Sequence, residues 1–128
     1  MPATGNFILD KGYDAVGEIR KFRAVRLVGE EQVSEVSAST QVVFGVSQFG
    51  ATTAEIAKGK GASVRRRGRT EWECGAAVSI GTYVMADTQG RAVPATAGNP
   101  VAGMCDGDAS TLAGERISVD LDQKKSLF

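Results

Sequence analysis

Apolar and polar residues alternate most strictly from Arg116 to Leu121. Ile117, Val119 and Leu121 fall on one side and Arg116, Ser118 and Asp120 on the other. A period of two marks a half-buried strand with one wet face. Ala113-Gly114-Glu115 turns the chain into it. Before that turn, Gly98 and Asn99-Pro100 announce a strand at Val101-Ala102-Gly103-Met104, and Cys105-Asp106-Gly107-Asp108 reads as a loop. In the first half, Val16, Ile19, Phe22, Val25 and Leu27 are candidate core positions. A helical turn fits Ile19–Phe22, whereas Ala24–Val28 alternates like a strand that turns at Gly29-Glu30-Glu31 and returns over Gln32–Val36. After a loop at Ser37–Thr40, Gln41–Ser47 is rich in β-branched residues and predicts a strand. Gly45 inside it signals a bulge or a close backbone approach. Thr52–Lys60 is the one helix candidate, with Thr52 or Thr53 as cap, Glu55 in the first turn, and Gly59 and Gly61 as stops. Ala62–Glu73 reads as strand, turn, strand.

These elements predict a mainly β fold, a small barrel or sandwich of short antiparallel strands with one short helix. Residues 1–16 are expected to form an extended arm carrying the apolar cluster Phe7, Ile8 and Leu9, residues 17–122 a single β domain, and residues 123–128 a tail. Within the domain, segments 17–73 and 75–122 can be laid over each other. An offset of 58 puts Gly17 on Gly75, Phe22 on Ile80, Val25 on Tyr83, Val43 on Val101, Gly45 on Gly103 and Val46 on Met104. After a three-residue deletion, Ser63-Val64 falls on Ser118-Val119. Such a repeat would be one β-unit used twice, because a single copy cannot bury its apolar face alone.

Composition narrows the function classes. With 128 residues, 42% apolar and 23% charged, the chain has the balance of an ordinary globular domain, and no apolar run is long enough to span a membrane. The N-terminus has neither a basic region nor an apolar stretch of signal type, so export and disulfide formation are not expected. Cys74 and Cys105 then read as buried free thiols, or as a pair that bridges only after cell lysis. A formal net charge of zero argues against a protein that neutralises many phosphates, so nucleic acid is not an expected partner.

Catalytic chemistry finds few residues to work with. The chain has no histidine, which removes Ser-His-Asp and Cys-His catalysis and His-ligated metal sites. Asp106-Gly107-Asp108 offers too few oxygens for calcium. Lys58-Gly59-Lys60-Gly61 lacks the order of a phosphate loop. No acids are spaced as a catalytic pair, so neither an enzyme nor a cofactor is expected. The run Arg65-Arg66-Arg67-Gly68-Arg69 is the one charge cluster of note. It fits a solvated strand end, contact with an acidic protein surface, or nucleic acid; on a strand, Arg65 and Arg67 share one face and Arg66 takes the other. Trp72 beside it is either core or an interface anchor.

Residues 72–121 also carry a resemblance. The run Cys74–Val84, the turn Asp87–Gly90, Gly90-Arg91-Ala92-Val93-Pro94-Ala95, Val101-Ala102-Gly103 and Ala113–Leu121 are similar to the tailed-bacteriophage capsid decoration, or cement, proteins. The resemblance implies a homotrimeric structural protein of the virion, made in the host cytoplasm. It would bind the major capsid protein on the outside of an assembled head and stabilise the shell without chemistry. Phe7, Ile8 and Leu9, and Arg65, Arg66 and Arg67 with Trp72, are then the expected interface residues. The alternatives are another virion or tail component, or a β-barrel adaptor.

Overall fold

The structure, a computed structural model, describes residues 9–107 and 112–124. These form nine strands and one short helix: β1 (Leu9–Ala15), β2 (Ala24–Gly29), β3 (Gln32–Glu35), β4 (Gly45–Phe49), α1 (Thr53–Ala57), β5 (Ala62–Glu73), β6 (Tyr83–Ala86), β7 (Ala92–Pro94), β8 (Val101–Gly107) and β9 (Arg116–Lys124). The fold is mainly β, as the alternation predicts. The first five strands close a barrel in the order β1-β3-β2-β4-β5, with β1 returning to pair with β5. Closure leaves these strands without a free edge. β5 then runs on into a second array, β5-β9-β8-β6-β7, whose ends approach through a parallel bridge between Cys74 and Ala92.

The two arrays share their ladders. In the first, Val46 pairs with Arg65 and Ser47 with Val64; after a register shift, Phe49 pairs with Ser63. In the second, Met104 pairs with Asp120 and Cys105 with Val119; after a shift at the same place, Gly107 pairs with Ser118. Leu27 faces Val33 as Ala86 faces Ala92. The parallel pair Ala15–Val33 has its counterpart in Cys74–Ala92. The N-terminal half of β5 thus ends the first unit, and its C-terminal half begins the second.

Local chemistry explains the differences from the sequence reading. Ala62–Glu73 is one continuous strand with no turn; Gly68, at φ +92°, lets it pass from its β1 and β4 partners to β9. β4 starts at Gly45 and not at Gln41, because the Gln41 side chain folds back and its Oε1 accepts from the N–H groups of Ser37 and Ala38. Lys21 and Phe22 form a turn without helix. Cys105–Gly107, read as loop, extends β8. Of the expected arm, residues 1–8 lie outside the described residues, and Leu9–Ala15 is a barrel strand. Gly45 does mark a close approach: a Cβ there would lie 2.6 Å from the Arg65 carbonyl, and one on Gly103 would lie 2.2 Å from that of Asp120. The helix is capped by Thr52, whose Oγ1 accepts from the Glu55 N–H while Glu55 accepts from the Thr52 N–H.

Two buried clusters hold the molecule. Tyr13, Ile19, Val25, Val33, Ala62 and Val64 fill the first barrel. The second cluster joins the interior of the second unit, including Trp72, Val84, Ile117 and Val119, to Ala24, Val36, Val43 and Val46 of the first. Burial of such side chains contributes about 1.5–3 kcal/mol each. Cys74 and Cys105 are both buried within this cluster.

Candidate interaction surface

The arginine run does not form one stripe, since alternation along β5 sends its members to different surroundings. Arg65 lies opposite Asp10 in the β1–β5 ladder and grips it with two bonds, Nε to Oδ1 at 2.8 Å and Nη2 to Oδ2 at 2.9 Å. That hydrogen-bonded carboxylate holds the Arg65 guanidinium protonated beyond its ordinary range. Arg69 takes Asp106 at 2.9 Å, and Asp106 also accepts from the Ser118 hydroxyl. These two arginines are structural. Arg67 is exposed. Arg66 turns to the opposite side from Arg65, where its guanidinium lies 4.1 Å from the centroid of the Phe44 ring.

Trp72, expected at an interface, has zero exposure and belongs to the core. Its indole N–H donates to the Gly90 carbonyl at 2.9 Å, so any part it takes in an interface is indirect. Of the arm cluster, Phe7 and Ile8 lie outside the described residues, and Leu9 begins β1 opposite Arg67. Among the described residues, Arg65, Arg66 and Trp72 are therefore not gathered into one site.

Two surfaces that sequence reasoning did not assemble stand out. Arg26, Leu27, Gln41, Val42, Phe44 and Arg66 line a groove of about 480 Å³ at one end of the first barrel. Leu27 and Val42 are 50% and 62% exposed there. Among the described residues no carboxylate pairs with Arg26, Arg66 or Arg67, whereas Arg20 holds Glu35 and Arg23 holds Glu73, each at 2.9 Å. The second surface is built on the Lys21–Phe22 turn. The Lys21 ammonium lies 4.8 Å from the Phe22 ring and 5.6 Å from that of Phe49, and Arg116 covers Phe22 at 4.8 Å. Phe49 is 63% exposed. Exposed apolar side chains beside cations are the composition of protein contact surfaces. Their partners lie dozens of residues apart in the chain, so no sequence window contains the signal.

Among the described residues no cluster of three or more Cys, Asp or Glu side chains is placed to hold a metal ion. No helix among the described residues is long and apolar enough to cross a membrane.

Known proteins share this architecture. No curated protein matches the chain. The crystal structure of the head fiber gp8.5 N base in bacteriophage phi29 superposes with a TM-score of 0.66 at 14% identity, covering 94% of this chain and 97% of that one. At that identity the likeness is one of fold. A family model described as phage cement protein matches residues 23–121, which span both units from β2 into β9. By that match the chain belongs to the phage cement proteins, structural proteins of the bacteriophage virion.

Proposed function

We propose that this protein decorates the outside of an assembled phage head, bridging copies of the major capsid protein and stabilising the shell by non-covalent contact. The observation that carries the reading is the family match across both units. The head fiber base that shares its fold is, by name, a component of a phage head. The mechanism needs no catalysis. A protein that binds only the assembled shell stabilises that state by mass action, and many symmetric sites add avidity. Homotrimers at threefold positions, synthesis in the host cytoplasm and a virion-exterior location belong to the same proposal. So does the division of the chain into an arm and two copies of one β-unit, expected over residues 17–73 and 75–122; the matched ladders favour two copies that meet within β5.

Co-sedimentation with undecorated, expanded heads tests it. Saturable binding at a stoichiometry tied to the capsid lattice is the expected result. Absence of binding by the full chain overturns the reading for that shell. A variant lacking residues 2–8 assigns the arm, because this deletion stops short of Leu9 and leaves the barrel strand whole.

A further inference from the structure

The groove at the end of the first barrel has a twin in the second unit, and the twin is sealed. By ladder register Arg26 corresponds to Met85 and Leu27 to Ala86, while Phe44 corresponds to Ala102 and Arg66 to Leu121. All four second-unit residues are buried, at 8%, 2%, 0% and 6% exposure. Ala86, Ala102 and Leu121 share one cluster with Val36 and Val43 of the first unit, so the first unit helps to close that end. No preceding unit among the described residues does the same for the first barrel.

Its open end also carries the wrong chemistry for solvent alone. Leu27 and Val42 expose apolar surface beside the Phe44 ring. Nε of Arg26 and Nε of Arg66 are both buried from solvent, with no hydrogen-bond partner. A buried donor left unsatisfied is destabilising until an acceptor reaches it. Two guanidiniums flanking an apolar floor are complementary to one kind of partner. It is a polypeptide segment with a large apolar side chain and neighbouring carboxylates. The apolar floor disfavours a bare phosphate, and the zero net charge removes long-range attraction for nucleic acid.

We propose that the open end of the first barrel is the docking site for an acidic, apolar segment of the capsid shell protein. The segment's apolar side chain packs on Leu27, Val42 and Phe44, and its carboxylates pair with Arg26 and Arg66. This rests on the decoration reading and specifies which face of the molecule meets the shell.

Binding isotherms on expanded, undecorated heads, with the full-length protein, decide the matter. Charge reversal by Arg26→Glu with Arg66→Glu is expected to weaken binding by about tenfold or more. Lys58→Glu with Lys60→Glu, an equal charge change at the end of α1, is expected to stay within about twofold. Should the arginine variant fail to fold by circular dichroism, Val42→Asp reads the same groove from an exposed position and is expected to lose about tenfold in affinity. If the wild type binds and the folded groove variants bind equally well, the docking proposal is overturned while decoration stands. If the wild type does not bind, decoration itself fails, and this proposal with it. If sedimentation velocity shows a wild-type dimer that the arginine variant dissolves, the occupant is a second copy of this chain, which also overturns the proposal.

Discussion

The two units use the same ladders and differ in what they do with their turns. At two equivalent positions the backbone takes a left-handed conformation. The second unit has glycine at both, Gly81 at φ +85° and Gly90 at φ +73°; the first has Phe22 at φ +58° and Glu31 at φ +56°. The equivalence follows from shared bonds. The N–H of Phe22 donates to the Ser47 carbonyl as that of Gly81 donates to Cys105. A side chain in this region costs about 1–2 kcal/mol, which glycine avoids. The reason for glycine at position 90 is a close approach. Its carbonyl accepts from the Ala24 N–H and the Trp72 indole, and a Cβ would lie 3.0 Å from the Ala24 carbonyl. In the second unit's turn Gly90 is therefore buried as an internal joint, while Thr88 and Gln89 stay exposed. The first unit's turn stays outside, with Glu31 holding Lys11 at the surface. Sharing a ladder does not mean sharing a role: one copy supplies the joint and the other keeps its ends available.

The comparison breaks first at the aromatic pair. Tyr13, opposite Ala62, and Trp72, opposite Ile117, hold the same ladder position. Trp72 has no exposure, whereas Tyr13 is 8% exposed and meets Phe44 edge-on at 5.2 Å. Trp72→Ala is expected to cost about 3–5 kcal/mol, since it opens a cavity in the cluster that joins the units. Tyr13→Ala is expected to cost less, its ring being nearer the barrel end. Urea unfolding checks the order. Because both units share β5, a single transition is also expected, and loss of the second unit with the first intact would refute that coupling.

A smaller effect separates the two turns. Gly90→Ala places a Cβ at positive φ against the Ala24 carbonyl and is expected to cost about 1–3 kcal/mol. Glu31→Gly is expected to leave the thermal midpoint nearly unchanged, because relief of the backbone offsets the lost contact to Lys11 and the added freedom of the unfolded chain. Equal losses at both positions would show that the two turns are loaded alike.

Legibility in the sequence followed the range of the interaction. Alternation at Ile117, Val119 and Leu121 is local and gave the strand directly; the Thr52–Glu55 capping box is equally local. Gly45 and Gly103 mark backbone crowding that any strand pair here would impose. Matching Gly17 to Gly75 sets the first strands one residue away from the ladder offset, in which Val16 corresponds to Gly75. Those two N–H groups donate to Val33 and Ala92, a relation no single-sequence pattern displays. The faces of Arg65 and Arg66 follow from strand alternation, but Asp10 beside one and Phe44 beside the other depend on β1 and β4 arriving from elsewhere. Alternation leaves Trp72 between core and interface for the same reason: its burial depends on Gly90, which a turn delivers from the second unit.

The finest distinction lies between β4 and β5, where the first unit inserts α1 and the second has a connection three residues shorter by register. The Thr52–Glu55 box lies in this connection, outside the paired strands, so removing it should leave the shared ladders in place. Thr52→Ala is expected to cost about 1 kcal/mol. Glu55 adds a pH signature. Its carboxylate is held below the usual range by the Thr52 N–H and then by Lys60, whose ammonium lies 3.0 Å away. A depressed carboxylate stabilises the fold above its ordinary titration range, and that contribution fades as the pH falls through the lowered folded value. The midpoint difference between wild type and Glu55→Gln should therefore be present near neutrality and shrink on acidification to about pH 3. A difference that grows on acidification would mean that Glu55 is not bound in this box. If it holds constant across the range, the box contributes through shape and not charge. Either result would place the stability of the insertion with the barrel it leaves and rejoins.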